Sequence, residues 1–211
     1  MKVLIIFAHP EKQSLQHSLL KVAVDTLEKN GHEVKVSDLY DMKWKIAVDE
    51  DDFLNHEKGT LLQPIRAAAS AYEEGKLAKD ITDEQKRVKW ADLIIFQFPL
   101  WWYSMPAIMK GWMDRVLNKK FAFSKSGETT TGPLAGKKAL MIVTAGGSAE
   151  DFSETGFLGD ISHILYPIQN GIFKFLGFDA LEPIIGYGAD SRKPICFENT
   201  SKLIEERVSS L

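Results

Sequence analysis

Three nearly uninterrupted apolar runs constrain this chain more than any other feature: Val3 to Ala8, Leu93 to Phe98 and Ala139 to Ala145. A strand wetted on one face alternates apolar and polar residues. A run that is apolar at almost every position must be covered on both faces, as parallel strands between helical layers are. Each run is followed by helical periodicity. Ser14 is placed to cap a helix with the stripe Leu15, Leu19, Val22, Ala23 and Leu27, and Asn30-Gly31 is placed to end it. Pro106 to Leu117 follows the second run. Asp160 to Leu176 follows the third, with Pro167 predicting a break or kink.

Two weaker strands complete the pattern. Val34 and Val36 alternate with polar neighbours, as an exposed edge should, and Pro183 confines Leu181 to Tyr187 to an edge or a strand end. Glu198 to Val208 reads as a closing helix. Strands alternating with helices predict an α/β fold with a doubly wound parallel sheet and right-handed crossovers. With the second strand at an edge, five strands fit the flavodoxin-like order 2-1-3-4-5. The segment from Tyr40 to Lys89 is polar, carries the acidic run Asp49-Glu50-Asp51-Asp52, and is too long for an ordinary connection. Residues 1–211 are expected to form a single domain with 40–89 as a long insertion, its acidic run a solvated loop.

Composition removes several function classes. The formal net charge is −3 and the basic residues are scattered, so no nucleic-acid footprint is present. Cys196 is the only cysteine, which excludes a disulfide framework and a cysteine-rich zinc site. The apolar runs are too short to span a bilayer or to form the core of a signal peptide, so a cytoplasmic protein without a membrane span is expected. No metal site is expected: the five histidines lack paired ligand spacing, and H-E-x-x-H does not occur. No G-x-G-x-x-G follows the first strand, and the Gly127 to Gly132 gap is followed by Pro133-Leu134 instead of the Lys-Ser/Thr of a phosphate loop. Ser148 lies outside any G-x-S-x-G, and Cys196 reads as inert packing.

In such sheets ligands bind beyond the carboxyl ends of the strands, near the topological switch. Three loops should meet there. His9-Pro10-Glu11-Lys12-Gln13-Ser14 leads into a helix N-terminus, which favours an anion such as phosphate. Pro99-Leu100-Trp101-Trp102-Tyr103 offers planar side chains. Thr144-Ala145-Gly146-Gly147-Ser148 offers backbone donors that a ligand can approach closely. A phosphate seat, an aromatic wall and a row of backbone donors together suit a flavin nucleotide. Singly, each has a plainer use: the indoles as core or dimer packing, His9 as a strand-end histidine, Gly146-Gly147 as a turn.

The stretch from Ala91 through Phe96-Gln97-Phe98-Pro99-Leu100-Trp101-Trp102-Tyr103-Ser104-Met105-Pro106 to Lys110-Gly111-Trp112-Met113-Asp114-Arg115-Val116 resembles the NAD(P)H:quinone dehydrogenase family. Ser37-Asp38-Leu39-Tyr40, Asp80 to Lys86, and Pro167-Ile168-Gln169 with Gly177-Phe178 extend the resemblance from Lys2 to about Tyr187. It implies a homodimer with one FAD per subunit (FMN less favoured), NADH or NADPH as hydride donor, and a quinone or similar planar acceptor reduced in a two-electron ping-pong cycle. Matched by motif, His9, Ser14, Leu15 and Gln16 would meet the phosphates and ribityl chain. Pro99, Leu100, Trp101, Trp102, Tyr103, Thr144, Ala145, Gly146, Gly147 and Phe152 would flank the flavin ring. Gln63 would be an adenine-side contact. Trp102, Tyr103, Gly146, Gly147 and Leu158 would face the substrate, with Phe123 and Phe175 contributed by the partner subunit.

The departures matter as much. Phe152 and Leu158 occupy the family's relay positions, where relatives carry a Tyr and a His or Asn. Phe and Leu neither donate a hydrogen bond nor relay a proton, so no catalytic residue is assigned. Leu15-Gln16 stands where relatives have Phe-Asn, and Lys125 replaces an aromatic at the pocket mouth. Two alternatives therefore stay open: a flavin-binding regulator with weakened catalysis, and an FMN electron carrier.

Overall fold

The structure is a computed structural model that describes residues 1–123, 133–191 and 194–211. Lys125 and the Gly127 to Gly132 gap lie outside the described residues. The elements run β1 (Lys2–Phe7), α1 (Leu15–Lys29), β2 (Glu33–Asp38), α2 (Pro64–Glu73), α3 (Lys79–Trp90), β3 (Leu93–Pro99), α4 (Ala107–Val116), β4 (Lys138–Thr144), α5 (Ile161–Ile168), β5 (Asp179–Ala180), β6 (Ile184–Gly186) and α6 (Pro194–Ser209). Every strand pairing is parallel, in the order β2-β1-β3-β4-β5.

The three apolar runs became the three inner strands, and their alternation sorts residues between two cores. Leu4, Ile6, Ile94, Phe96, Met141 and Val143 face the layer that holds α4 and α5. Val3, Ile5, Leu93, Ile95, Leu140 and Ile142 face α1 and α6 through Leu19, Ala23, Leu27, Ile204 and Val208. Gln97 interrupts the second run yet is fully buried, because its side-chain amide donates to the Gln16 carbonyl and side-chain oxygen, each at 3.0 Å. Ser14 caps α1 by accepting from the His17 amide at 3.2 Å, and Gly31 takes the left-handed turn beyond its end at φ 78°.

The fifth strand differs from expectation. Instead of one strand over Leu181 to Tyr187, β5 pairs the start of β4 and β6 pairs its end, with Pro183 between them. Proline has no N–H to donate, so the ladder stops and resumes. The helix predicted over Asp160 to Leu176 also divides. Its α-helical part contains Pro167 and gives way to a π-helical turn, Gln169–Lys174. The wider turn puts Phe173 in the core, stacked on Phe96 at 4.9 Å, while Phe175 emerges at the surface.

The acidic run is not a solvated loop. Asp49 caps a short turn, Glu50–Asp52, and Asp52 is buried against the Arg115 guanidinium, with both side chains 1% exposed. Arg115 Nη2 donates to Asp52 at 2.8 Å and Nη1 meets Asp80 at 2.7 Å, while Lys45 lies 2.9 Å from Asp52. Burial works against the Arg115 charge, but hydrogen bonds to Asp52 and Asp80 outweigh it and hold the guanidinium firmly protonated. The insertion has its own small core of Phe53, Ala68, Ala71, Leu77 and Ile81. This charge cluster ties that core to α4.

Candidate flavin-binding site

The three predicted loops meet at the carboxyl ends of β1, β3 and β4. Backbone bonds stitch them there: Ala8 N–H to Gln97 at 3.1 Å, Leu100 N–H to Thr144 at 2.8 Å, and Ala145 N–H to Gly186 at 2.9 Å.

At the first loop, Ser14 serves as cap, which leaves the N–H groups of Leu15 and Gln16 in the unpaired first turn of α1. Those donors and the helix dipole fit an anionic phosphate. The Gln16 side chain itself is 1% exposed and donates to the Thr144 hydroxyl at 3.0 Å, so it braces α1 against β4 and only its backbone is left for a ligand. His9 Nδ1 lies 3.1 Å from the Glu11 amide. Nδ1 also lies 3.2 Å from the Glu11 carbonyl, so it accepts from the amide in one tautomer and donates to the carbonyl in the other. Burial lowers the His9 pKa, favouring the neutral ring.

At the second loop, Trp101 and Ser104 exchange backbone hydrogen bonds of 2.9 and 3.0 Å across a two-residue turn. Trp102 and Tyr103 occupy it at φ 50° and 60°. Turns of this kind favour Asn-Gly, and a bulky residue in the left-handed region costs about 1–2 kcal/mol. Strain of this kind, with Trp102 96% exposed, marks a turn built to present side chains rather than to fold cheaply.

At the third loop, a Cβ on Gly146 would stand 2.2 Å from the Asp190 carboxylate, so that exposed side chain would have to swing aside. A Cβ on Gly147 would stand 2.7 Å from Leu158 Cδ1 and 3.2 Å from Phe152 Cε2. The two departures from the family pattern thus share one neighbour, Gly147. The loop that carries them is closed by Leu158 N–H to Asp151 at 2.9 Å and Ile161 N–H to Phe152 at 3.1 Å. Asp151 accepts from the Ser148 amide and hydroxyl, which hold its carboxyl below the usual carboxylate range.

Three other sequence-predicted residues stand with different neighbours. Gln63 heads α2 in the insertion, beside a cleft of about 180 Å³ lined by Val48, Phe53, Pro64, Ile65 and Phe123 among others. Phe123 and Phe175 pack on each other at 5.9 Å in a groove with Met113, Leu117 and Ile172. Sequence reasoning missed His17, whose ring lies 4.5 Å from Phe7 and whose Nε2 is 3.5 Å from Asp38. It also missed Asp190, and Tyr187, which lies 6.2 Å from the Phe152 ring. Three positions beyond the predicted cap, His17 could have been found from helix geometry. Asp190 and Tyr187 carried no local signal. Among the described residues no acidic, histidine and cysteine cluster suits a metal ion. No helix among them is long and apolar enough to cross a membrane.

The family model for the flavodoxin-like fold matches residues 1–205. The human ribosyldihydronicotinamide dehydrogenase [quinone] is 47% identical over 194 residues, covering 90% of this chain and 82% of the relative. The chain belongs to the NAD(P)H:quinone dehydrogenase family. A ribosyldihydronicotinamide dehydrogenase-like protein of Penicillium crustosum is 48% identical over 195 residues, 89% of this chain and 73% of its own. A solved structure from Klebsiella pneumoniae, whose name includes quinone reductase, superposes with a TM-score of 0.93 at 43% identity, covering 100% of this chain and 84% of that one. This family member is an oxidoreductase enzyme of flavodoxin-like fold.

Proposed function

We propose that the protein is an FAD-dependent NAD(P)H oxidoreductase that reduces quinones or similar planar electrophiles. The observation that carries this reading is the meeting of an anion-ready helix N-terminus, a strained aromatic turn and a glycine pair at three adjacent strand ends. FAD, when bound, supplies two-electron hydride chemistry between a nicotinamide donor and the acceptor. The chain's own residues bind and orient. The Leu15 and Gln16 amides and His9 would hold the phosphates, Pro99 to Tyr103 would flank the ring, and backbone amides around Gly146-Gly147 would steady its polar edge. Donor and acceptor would occupy the same place in turn, which is the ping-pong order. The exposed Trp102, the nearly fully exposed Phe157 and the Phe123–Phe175 groove support a homodimer in which each copy completes the other's site. FAD in preference to FMN, and a cytoplasmic location, belong to the same reading.

Phe152 and Leu158 against Gly147 favour a second reading, a flavin-binding regulator with weak turnover. Purified protein supplied with FAD should absorb near ~450 nm as oxidised flavin does. Bleaching by NADPH and recovery with a naphthoquinone would favour the enzyme. Absence of the band would sink both readings and the electron-carrier alternative with them. Combining Phe152→Tyr with Leu158→His should speed flavin reduction by up to roughly 10²-fold, the scale of one preorganised donor. Normal flavin binding with no gain in rate would show that these positions do not limit the chemistry.

A further inference from the structure

Trp101 does not stand with Trp102. Its indole lies 6.0 Å from the His9 ring at 57°, leaning on the first loop, whereas Trp102 points into solvent. Behind His9 the contacts continue, to His17 at 6.3 Å and from His17 to Phe7 at 4.5 Å, both edge to face. A row of rings therefore runs from the end of β1 to the strained turn after β3. Trp101 is fixed at one end by its paired backbone bonds with Ser104, and His9 at the other by Nδ1 against the Glu11 amide and carbonyl. Nε2 of His9 is the ring nitrogen left to face an anion at the α1 N-terminus, and the tautomer in which Nδ1 accepts from the Glu11 amide puts the proton there. Its direction depends on how the imidazole plane is held, and the indole is a neighbour that can hold it.

We propose that Trp101 is a positioning residue for the phosphate end of the flavin, acting through His9, and not a part of the wall beside the ring system. This rests on the flavin reading above and adds a division of labour to it. The aromatic turn serves two ends of one ligand: Trp101 the phosphate, Trp102 and Tyr103 the planar ring. An aromatic contact is worth about 0.5–1.5 kcal/mol, so its loss should weaken phosphate-bearing flavins by roughly tenfold at most.

Riboflavin separates the two roles, because it has the ring system without the phosphate. The full-length protein, stripped of flavin, is titrated with riboflavin, FMN and FAD, following quenching of flavin fluorescence. In Trp101→Ala, FMN and FAD should bind several-fold to tenfold more weakly while riboflavin changes by less than about twofold. Trp101→Phe should recover most of the loss. In a His9→Ala background, Trp101→Ala should have little further effect, since the indole would have nothing left to orient. Equal weakening of all three flavins would overturn the proposal and return Trp101 to the wall. No change with any of them would overturn it too, as would fully additive effects of His9→Ala and Trp101→Ala. If the unaltered chain binds no flavin, the flavin reading falls and this inference with it. Far-ultraviolet circular dichroism identifies a variant that has lost its fold, in which case Trp101→Phe and Trp101→Leu give the same comparison.

Discussion

The parallel sheet and the 40–89 insertion are held by different means. Inner strands β1, β3 and β4 bury aliphatic and aromatic side chains on both faces, and the polar exceptions, such as Gln97, are hydrogen-bonded. Against α4 the insertion adds to the apolar contacts of Trp44 and Val88 a buried charge cluster of Asp52, Arg115, Lys45 and Asp80. Burying apolar surface is non-directional and forgiving, so a core tolerates a smaller neighbour at modest cost. Burying charge is affordable only when every partner is present, so the same truncation in the insertion should be far more damaging.

The largest expected effect follows from that contrast. Arg115→Ala leaves the Asp52 carboxylate buried without its main partner and should cost about 3–5 kcal/mol in urea unfolding. A loss below about 1 kcal/mol would mean that the insertion's small core, and not the charge cluster, anchors it. Next comes Trp112→Phe. Its indole N–H donates to the buried Glu84 at 2.8 Å, so removing it should cost about 1.5–3 kcal/mol. In the sheet, Ile95→Val removes one methylene from a fully buried position and should cost about 0.5–1.5 kcal/mol. If that variant proved worse than Arg115→Ala, the comparison would be reversed.

Acid sharpens the contrast with the smallest effect. Asp49 is held below its ordinary pKa by a hydrogen bond from Lys45, so its contribution is present above the unfolded value of 3.8 and is lost as pH falls through the lower folded value. Glu84 behaves oppositely. Burial raises its pKa, so its contribution is present below the unfolded value of 4.5 and is lost as pH rises through the folded value. Hydrogen exchange between about pH 4 and pH 2 should therefore show amides near Asp49 loosening before those of the inner strands. Glu84→Gln should flatten the decline in stability above pH 4.5 without altering the acid limb set by Asp49. An unchanged profile would place the pH dependence elsewhere.

The same contrast explains what was legible in the sequence. Runs of apolar residues have a period, and a period survives without coordinates: β1, β3, β4, α1 and the order of the sheet could all be anticipated. Asp52 could not. Four acidic residues in a row look alike, and only the arrival of Arg115, 63 residues later, separates the buried one from its solvated neighbours. The site divides similarly. Its three loops were predictable as strand ends, whereas Asp190 at Gly146 and Tyr187 beside Phe152 come from a distant strand end that local patterning does not connect. The Pro183 break was half legible. The proline announced an edge but not that the strand would resume along β4.

Gly111 shows where a mutational scan of this protein could mislead. It lies in the middle of α4, where any Cβ would collide with the Ile46 backbone carbonyl. Alanine is ordinarily the better residue in a helix. Here even that one methyl group must push the insertion off α4, so Gly111→Ala should rank among the inactivating changes although it touches none of the three ligand loops. Scored by activity alone, position 111 would pass for part of the chemistry; scored by yield of folded protein, it would declare itself a seam between two parts of the chain.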